Sequence, residues 1–115
     1  MGRKNEAWAA LLSLIKNGED PGQIIALLAF QVRNLLMAKY LKEQQQASNS
    51  YMPYQQAAEI MEAHPFVAKK ALSLADNFSL DRLKSIYHLI FTADLKIKTG
   101  QLSPEESLRS LAADI

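Results

Sequence analysis

The sequence predicts an all-α fold, a bundle of about six helices. Three observations predict it. Apolar residues recur at steps of three and four along most of the 115 residues, and no segment alternates apolar and polar with period two. Only four Gly and four Pro occur, and they stand at the margins of the periodic stretches. Asp, Ser and, ahead of one proline, His occupy the positions where helix-capping residues belong.

Each element follows from local signals. Trp8, Leu11, Leu12 and Ile15 fall on one side of a helix from about Asn5 to Lys16. "NGEDPG" at 17–22 separates it from a second helix, with Asp20 as cap and Pro21 at the first helical position, running to about Gln45. "QASNSYMP" reads as a loop. A short helix follows from about Tyr54 to Glu62. His64 precedes a proline, which keeps it out of the helical region and suits it to cap the next helix, which extends to about Asn77. Ser79 caps a long helix to about Lys98, where Gly100 ends it and Lys96 and Lys98 match the negative end of the helix dipole. Ser103, Pro104, Glu105 and Glu106 open the last helix with acids in its first turn.

Composition bounds the function. Hydrophobic residues make up 49% and charged residues 22%, which predicts a single domain over residues 1–115 with one modest core. The net charge of +1 gives no global attraction to nucleic acid or acidic lipid. The absence of Cys excludes a disulfide framework and thiolate metal sites, and fits a reducing compartment. The start "MGRKNEAW" lacks an apolar signal core, and Glu6 breaks a myristoylation pattern at Gly2. The longest apolar run, Ile24 to Phe30, is far short of a membrane span. We therefore expect a cytoplasmic chain without membrane contact.

No constellation for catalysis is visible. The two His, 64 and 88, have no metal-ligand spacing. No Ser sits in a nucleophile elbow, and "TGQLS" at 99–103 lacks the glycines and lysine of a phosphate loop. No cofactor and no small-molecule substrate are expected. The helix at 21–45 is unusual instead: between Ile24 and Leu41 its strongly polar residues are Gln31, Arg33, Asn34 and Lys39. Such a helix needs cover on several sides. Either it is the central helix of its own core, or another chain covers part of it. Arg33 lies on the line Phe30, Arg33, Met37, Tyr40. Asp94 lies on the line Leu83, Tyr87, Ile90, Asp94, Ile97, where it interrupts an apolar face. A half-buried charge needs a partner. For Asp94 that partner is Lys98, one turn on, or Arg33 of the other long helix.

"HPFVAKKAL" at 64–72 raises a further point. Phe66 falls on the polar face of its helix, beside Lys69 and Lys70. Either it folds back onto Ile60 or Met61, setting the angle between two helices, or Phe66, Lys69 and Lys70 form a contact patch for a partner or for nucleic acid. The two short helices also resemble a helix-turn-helix. A small DNA-binding regulator, using Lys69, Lys70, Arg82 and Lys84, is therefore the alternative reading.

Taken together, "GEDPGQIIALLAFQVRNLLMAKYL" with its Gln31 and Arg33, "HPFVAKKAL", "FSLDRL" at 78–83 and "ADLKIKTGQLSPEESLRSL" with Asp94, Lys98 and Gly100 resemble the C-terminal domain of the delta subunit of bacterial DNA polymerase III. The resemblance covers almost the whole chain. It departs at Glu62, where the family usually has a glycine two residues before the His, and in the polar loop at 46–53. It implies the helical collar domain of a clamp-loader subunit, the C-terminal part of a longer protein. Such a domain joins the other subunits, delta-prime and gamma/tau, in the machine that loads the sliding clamp on DNA. It would have no catalytic site of its own, although the holoenzyme it serves is a DNA-directed DNA polymerase, a nucleotidyltransferase. Clamp and DNA would be met only through the full subunit.

Overall fold

The computed structural model describes Ala9 and residues 20–115. Five helices follow one another there: α1 (Pro21–Ser48), α2 (Tyr54–Met61), α3 (Pro65–Ala75), α4 (Leu80–Lys98) and α5 (Pro104–Asp114). No strand occurs among the described residues. The helix expected over Asn5–Lys16 lies, but for Ala9, outside them.

Four of the five helix starts are built by the expected caps, while α2 follows Pro53 without a side-chain cap. The Gln23 N–H donates to Asp20 Oδ1 at 3.0 Å, the Phe66 N–H to His64 Nδ1 at 3.1 Å, and the Arg82 N–H to Ser79 Oγ at 3.0 Å. Each satisfies one of the N–H groups that a first turn leaves without an intrahelical partner. At α5 the Glu106 N–H donates to Ser103 Oγ and the Ser103 N–H to Glu106 Oε1, both at 3.1 Å, a reciprocal capping box.

Three helix ends share one device. At Asn49 (φ 52°), Glu62 (φ 54°) and Gly100 (φ 76°) the chain turns left-handed. The N–H that follows each then reaches back five residues: Ser50 to the Gln45 carbonyl at 3.1 Å, Ala63 to Ala58 at 3.0 Å and Gln101 to Lys96 at 2.9 Å. Asn49 explains why α1 continues to Ser48 rather than stopping near Gln45. The Ser48 hydroxyl adds a bond to the Gln44 carbonyl at 2.9 Å, so the polar stretch closes a helix instead of forming a long loop. By contrast α3 stops at Ala75, short of Asn77. There the Asn77 and Phe78 N–H groups tighten onto the Leu74 and Ala75 carbonyls.

Contacts divide the chain into two compact units, residues up to Val32 with Ser85–Ile115, and Arg33–Lys84. In the second, α2 and α3 pack together, and their buried positions are Ala57, Ala58, Met61, Ala68, Ala71 and Ala75. Alanines let the two backbones approach closely. Lys42 Nζ donates to Asp76 Oδ1 at 2.6 Å, tying α1 to the end of α3. Both side chains are partly exposed, so the pair contributes at most about 1 kcal/mol. In the first unit, Ser107 is buried and its hydroxyl donates to the Ala93 carbonyl at 3.2 Å, which fixes α5 against α4. A buried bond of this kind is worth about 1 kcal/mol.

α1 is long and apolar enough to cross a bilayer by length and composition, with a mean hydropathy of 1.4 over its best window. However, Ile25, Leu28, Val32, Leu35, Ala38 and Leu41 are buried along it within the protein, as in a core helix.

Candidate subunit interface

α1 carries two apolar lines. Ile25, Leu28, Val32, Leu35, Ala38 and Leu41 recur at steps of three and four and are buried. A second line, Ala26, Phe30, Arg33, Met37, Tyr40 and Gln44, recurs at the same steps. Of these Met37 is the most covered and the others are exposed, Phe30 at 47% and Tyr40 at 56%. Gln44 Nε2 donates to Tyr40 Oη at 2.7 Å, which orients the phenol along the helix. Arg33 is exposed and makes no ion pair among the described residues, so the expected half-buried charge is a solvated one. Gln31 is half-buried at the side of this line.

Asn34 was legible only as a polar interruption of the helix. The structure buries it completely, and among the described residues neither Oδ1 nor Nδ2 has a hydrogen-bond partner. An orphaned buried amide destabilises the fold by about 1–3 kcal/mol.

On α3 the Lys70 ammonium lies 5.0 Å from the centre of the Phe66 ring, and the Lys69 ammonium lies 5.4 Å from that of Tyr54. Phe66 is 61% exposed and Ile60 47%, while Met61 is buried. The phenylalanine stands on the charged face because it is a platform for a cation one turn away. Each such contact is worth about 0.5–1 kcal/mol at an exposed site. The Lys69–Tyr54 contact joins α3 to the first turn of α2, a non-local pairing that spacing does not reveal.

On α4 the core line differs from the one expected. Leu83, Ile86, Ile90 and Ala93 are buried, with Ile97 half-buried. Asp94 stands beside that line, not in it, and pairs with Lys98 at 2.8 Å. Tyr87 is likewise off the core line. With Phe91 and Leu95 it forms an exposed stripe at four-residue steps, 38%, 57% and 48% accessible. The line read from the sequence placed Tyr87 on the core face and did not single out Phe91 or Leu95; three large apolar residues at i, i+4 and i+8 beside a complete core line were the available signal.

The described residues offer little for catalysis. No group of three potential metal ligands occurs among them. A crevice between α4 and α5, lined by Thr92, Lys96, Ser110 and Asp114 among others, measures about 40 Å³, room for a water or two. Glu106 is the acid held below the ordinary carboxylate range. The Ser103 N–H is the main cause, then the Ser103 hydroxyl, with the Arg109 charge adding and desolvation opposing. That is a helix cap, not an acid–base group.

Comparison with known proteins gives one consistent result. Residues 1–115 match the family DNA polymerase III delta subunit, C-terminal domain. A 99-residue stretch, 86% of this chain, is 31% identical to DNA polymerase III subunit delta of Bacillus subtilis (strain 168) and spans 27% of that protein. The solved structure of the Bacillus subtilis DNA clamp loader delta protein superposes with a TM-score of 0.76 at 30% identity, covering 98% of this chain and 32% of that one. The chain thus spans about a quarter to a third of the length of these relatives. The helix-turn-helix regulator is not supported: the relatives are delta proteins, and Lys69 and Lys70 are held over aromatic rings.

Proposed function

This chain belongs to the family formed by the C-terminal domain of the DNA polymerase III delta subunit, and from that we propose that it is an assembly module, the collar domain of a clamp-loader delta subunit. It joins the subunits that correspond to delta-prime and gamma/tau by helix packing. It contributes no catalytic group to the polymerase holoenzyme, and it reaches the sliding clamp and DNA only through the longer subunit, in the cytoplasm. The exposed line Phe30–Arg33–Met37–Tyr40 carries the reading. A monomer leaves such a line uncovered at a cost, whereas an assembly hides it and gains about 25 cal/mol for each Å² of apolar surface removed from water. Gln31, half-buried, flanks this surface, while Asp94 and Lys98 support α4 through their ion pair.

The test is reconstitution. The subunit bearing this domain is mixed with the other purified clamp-loader subunits of the same organism and sized by gel filtration with light scattering. A complex is expected with the native sequence, and a tenfold or greater loss with Phe30→Glu combined with Tyr40→Glu, two exposed positions, with retained folding checked by circular dichroism. An unchanged complex with the double variant overturns the assignment of this surface.

A further inference from the structure

The outer stripe of α4 stands apart from the surface just assigned. Tyr87, Phe91 and Leu95 lie along one side of the helix, all exposed. His88, beside Tyr87, and Lys84, one turn earlier, are exposed and make no ion pair among the described residues. Asp94, next to Leu95 in the chain, is paired with Lys98 at 2.8 Å. The surface is therefore an apolar ridge with basic groups toward one end that form no ion pair among the described residues, and a compensated pair toward the other. It fits an apolar helix face that carries a carboxylate at the end meeting Lys84 and His88.

Size decides what kind of partner this is. At about 200 Å² for a large side chain, the three fractional exposures leave roughly 300 Å² of apolar surface, well below the ~800 Å² per side of a free-standing interface. A freely diffusing second copy would not be held by it. A helix belonging to a subunit already tethered by another contact would, because tethering replaces bulk concentration by a far higher local one. We infer that the Tyr87–Phe91–Leu95 ridge of α4 is a second docking surface, occupied in the assembled clamp loader by an acidic-flanked apolar helix of a neighbouring subunit. This rests on the assembly reading above.

No Cys occurs in these 115 residues, so a cysteine introduced here is the single thiol of the domain and its labelling is read by peptide mapping. Leu95→Cys, and as a control the exposed Glu105→Cys on α5, are introduced singly into the subunit. Reaction with a maleimide dye is then timed with and without the other clamp-loader subunits, and complex formation is followed by gel filtration. The expected result is at least tenfold slower labelling of Leu95→Cys in the complex, an unchanged rate for Glu105→Cys, and partial loss of the protection when Lys84 and His88 are both changed to Glu. A formed complex in which Leu95→Cys reacts at its free rate overturns this inference and leaves the assembly reading standing. No complex at all overturns both. Protection of Leu95→Cys in the subunit alone, rising with its concentration, overturns the neighbouring-subunit assignment in favour of a second copy.

Discussion

Replacing Glu62 by glycine should make this protein more stable, although it removes every contact the side chain makes. Glu62 closes α2 with φ 54° and ψ 44°, and its own N–H bonds the Glu59 carbonyl at 3.2 Å while Ala63 bonds Ala58. This left-handed conformation brings Cβ against the following carbonyl, which costs a non-glycine residue about 1–2 kcal/mol. Glycine escapes that cost but gives up more backbone freedom on folding, about 0.5–1 kcal/mol. The net expectation for Glu62→Gly is a gain of about 0.5–1 kcal/mol. For a chain of 115 residues that raises the thermal midpoint by about 2–4 °C. The side chain is exposed and makes no hydrogen bond or ion pair among the described residues, so Glu62→Ala, which keeps Cβ, should stay within about 0.5 kcal/mol of the native protein. Calorimetry of the three proteins separates backbone from side chain. If Glu62→Gly melts no higher than Glu62→Ala, the strain argument is wrong.

Other substitutions test neighbouring parts of the account. Gly100→Ala should cost about 1 kcal/mol in urea unfolding, and since nothing lies within 4 Å of the added Cβ, the loss comes from φ 76° alone. Asn34→Leu keeps the branched shape while removing the orphaned amide, and should raise stability by about 1–2 kcal/mol in the same assay; a loss would show that the amide is satisfied in solution. Glu106 is held below the ordinary glutamate value, so its charge stabilises the folded state above about pH 4.3. The advantage of the native protein over Glu106→Gln in thermal midpoint should therefore be full near neutrality and vanish as the pH falls through the lowered Glu106 value. A gap that persists in stronger acid would assign the effect to packing.

Much of the fold was legible because its signals are local. Asp20, His64, Ser79 and Ser103 bond N–H groups two or three residues away, so their roles follow from chain order alone. The Phe66–Lys70 contact also spans one turn, within the spacing that places Phe66 beside the two lysines. What escaped was non-local. The Tyr54–Lys69 contact, the Ser107 bond to Ala93 across 14 residues, and the burial of Asn34 depend on which helix faces meet. The ends of α1 and α3 shifted by a turn or less, because a helix end is set by whether the next residue can turn left-handed or tighten, and Asn49 and Asn77 differ in that without differing in type.

The family was legible too, since the motifs at 18–41, 64–72 and 93–111 occur in order, and the match over residues 1–115 agrees with them. By itself the sequence determined five helix starts or stops, the absence of catalytic spacing, and the presence of one helix too apolar to be solvated. The tertiary structure decided which line of that helix is core and which is surface, and that α4 has a core line at 83, 86, 90 and 93 with a separate outer ridge at 87, 91 and 95. The reason is geometric. Helical periodicity fixes which residues share a side, but when two sides are both apolar the choice between them lies with the residues packed against the helix, and those are distant in the chain.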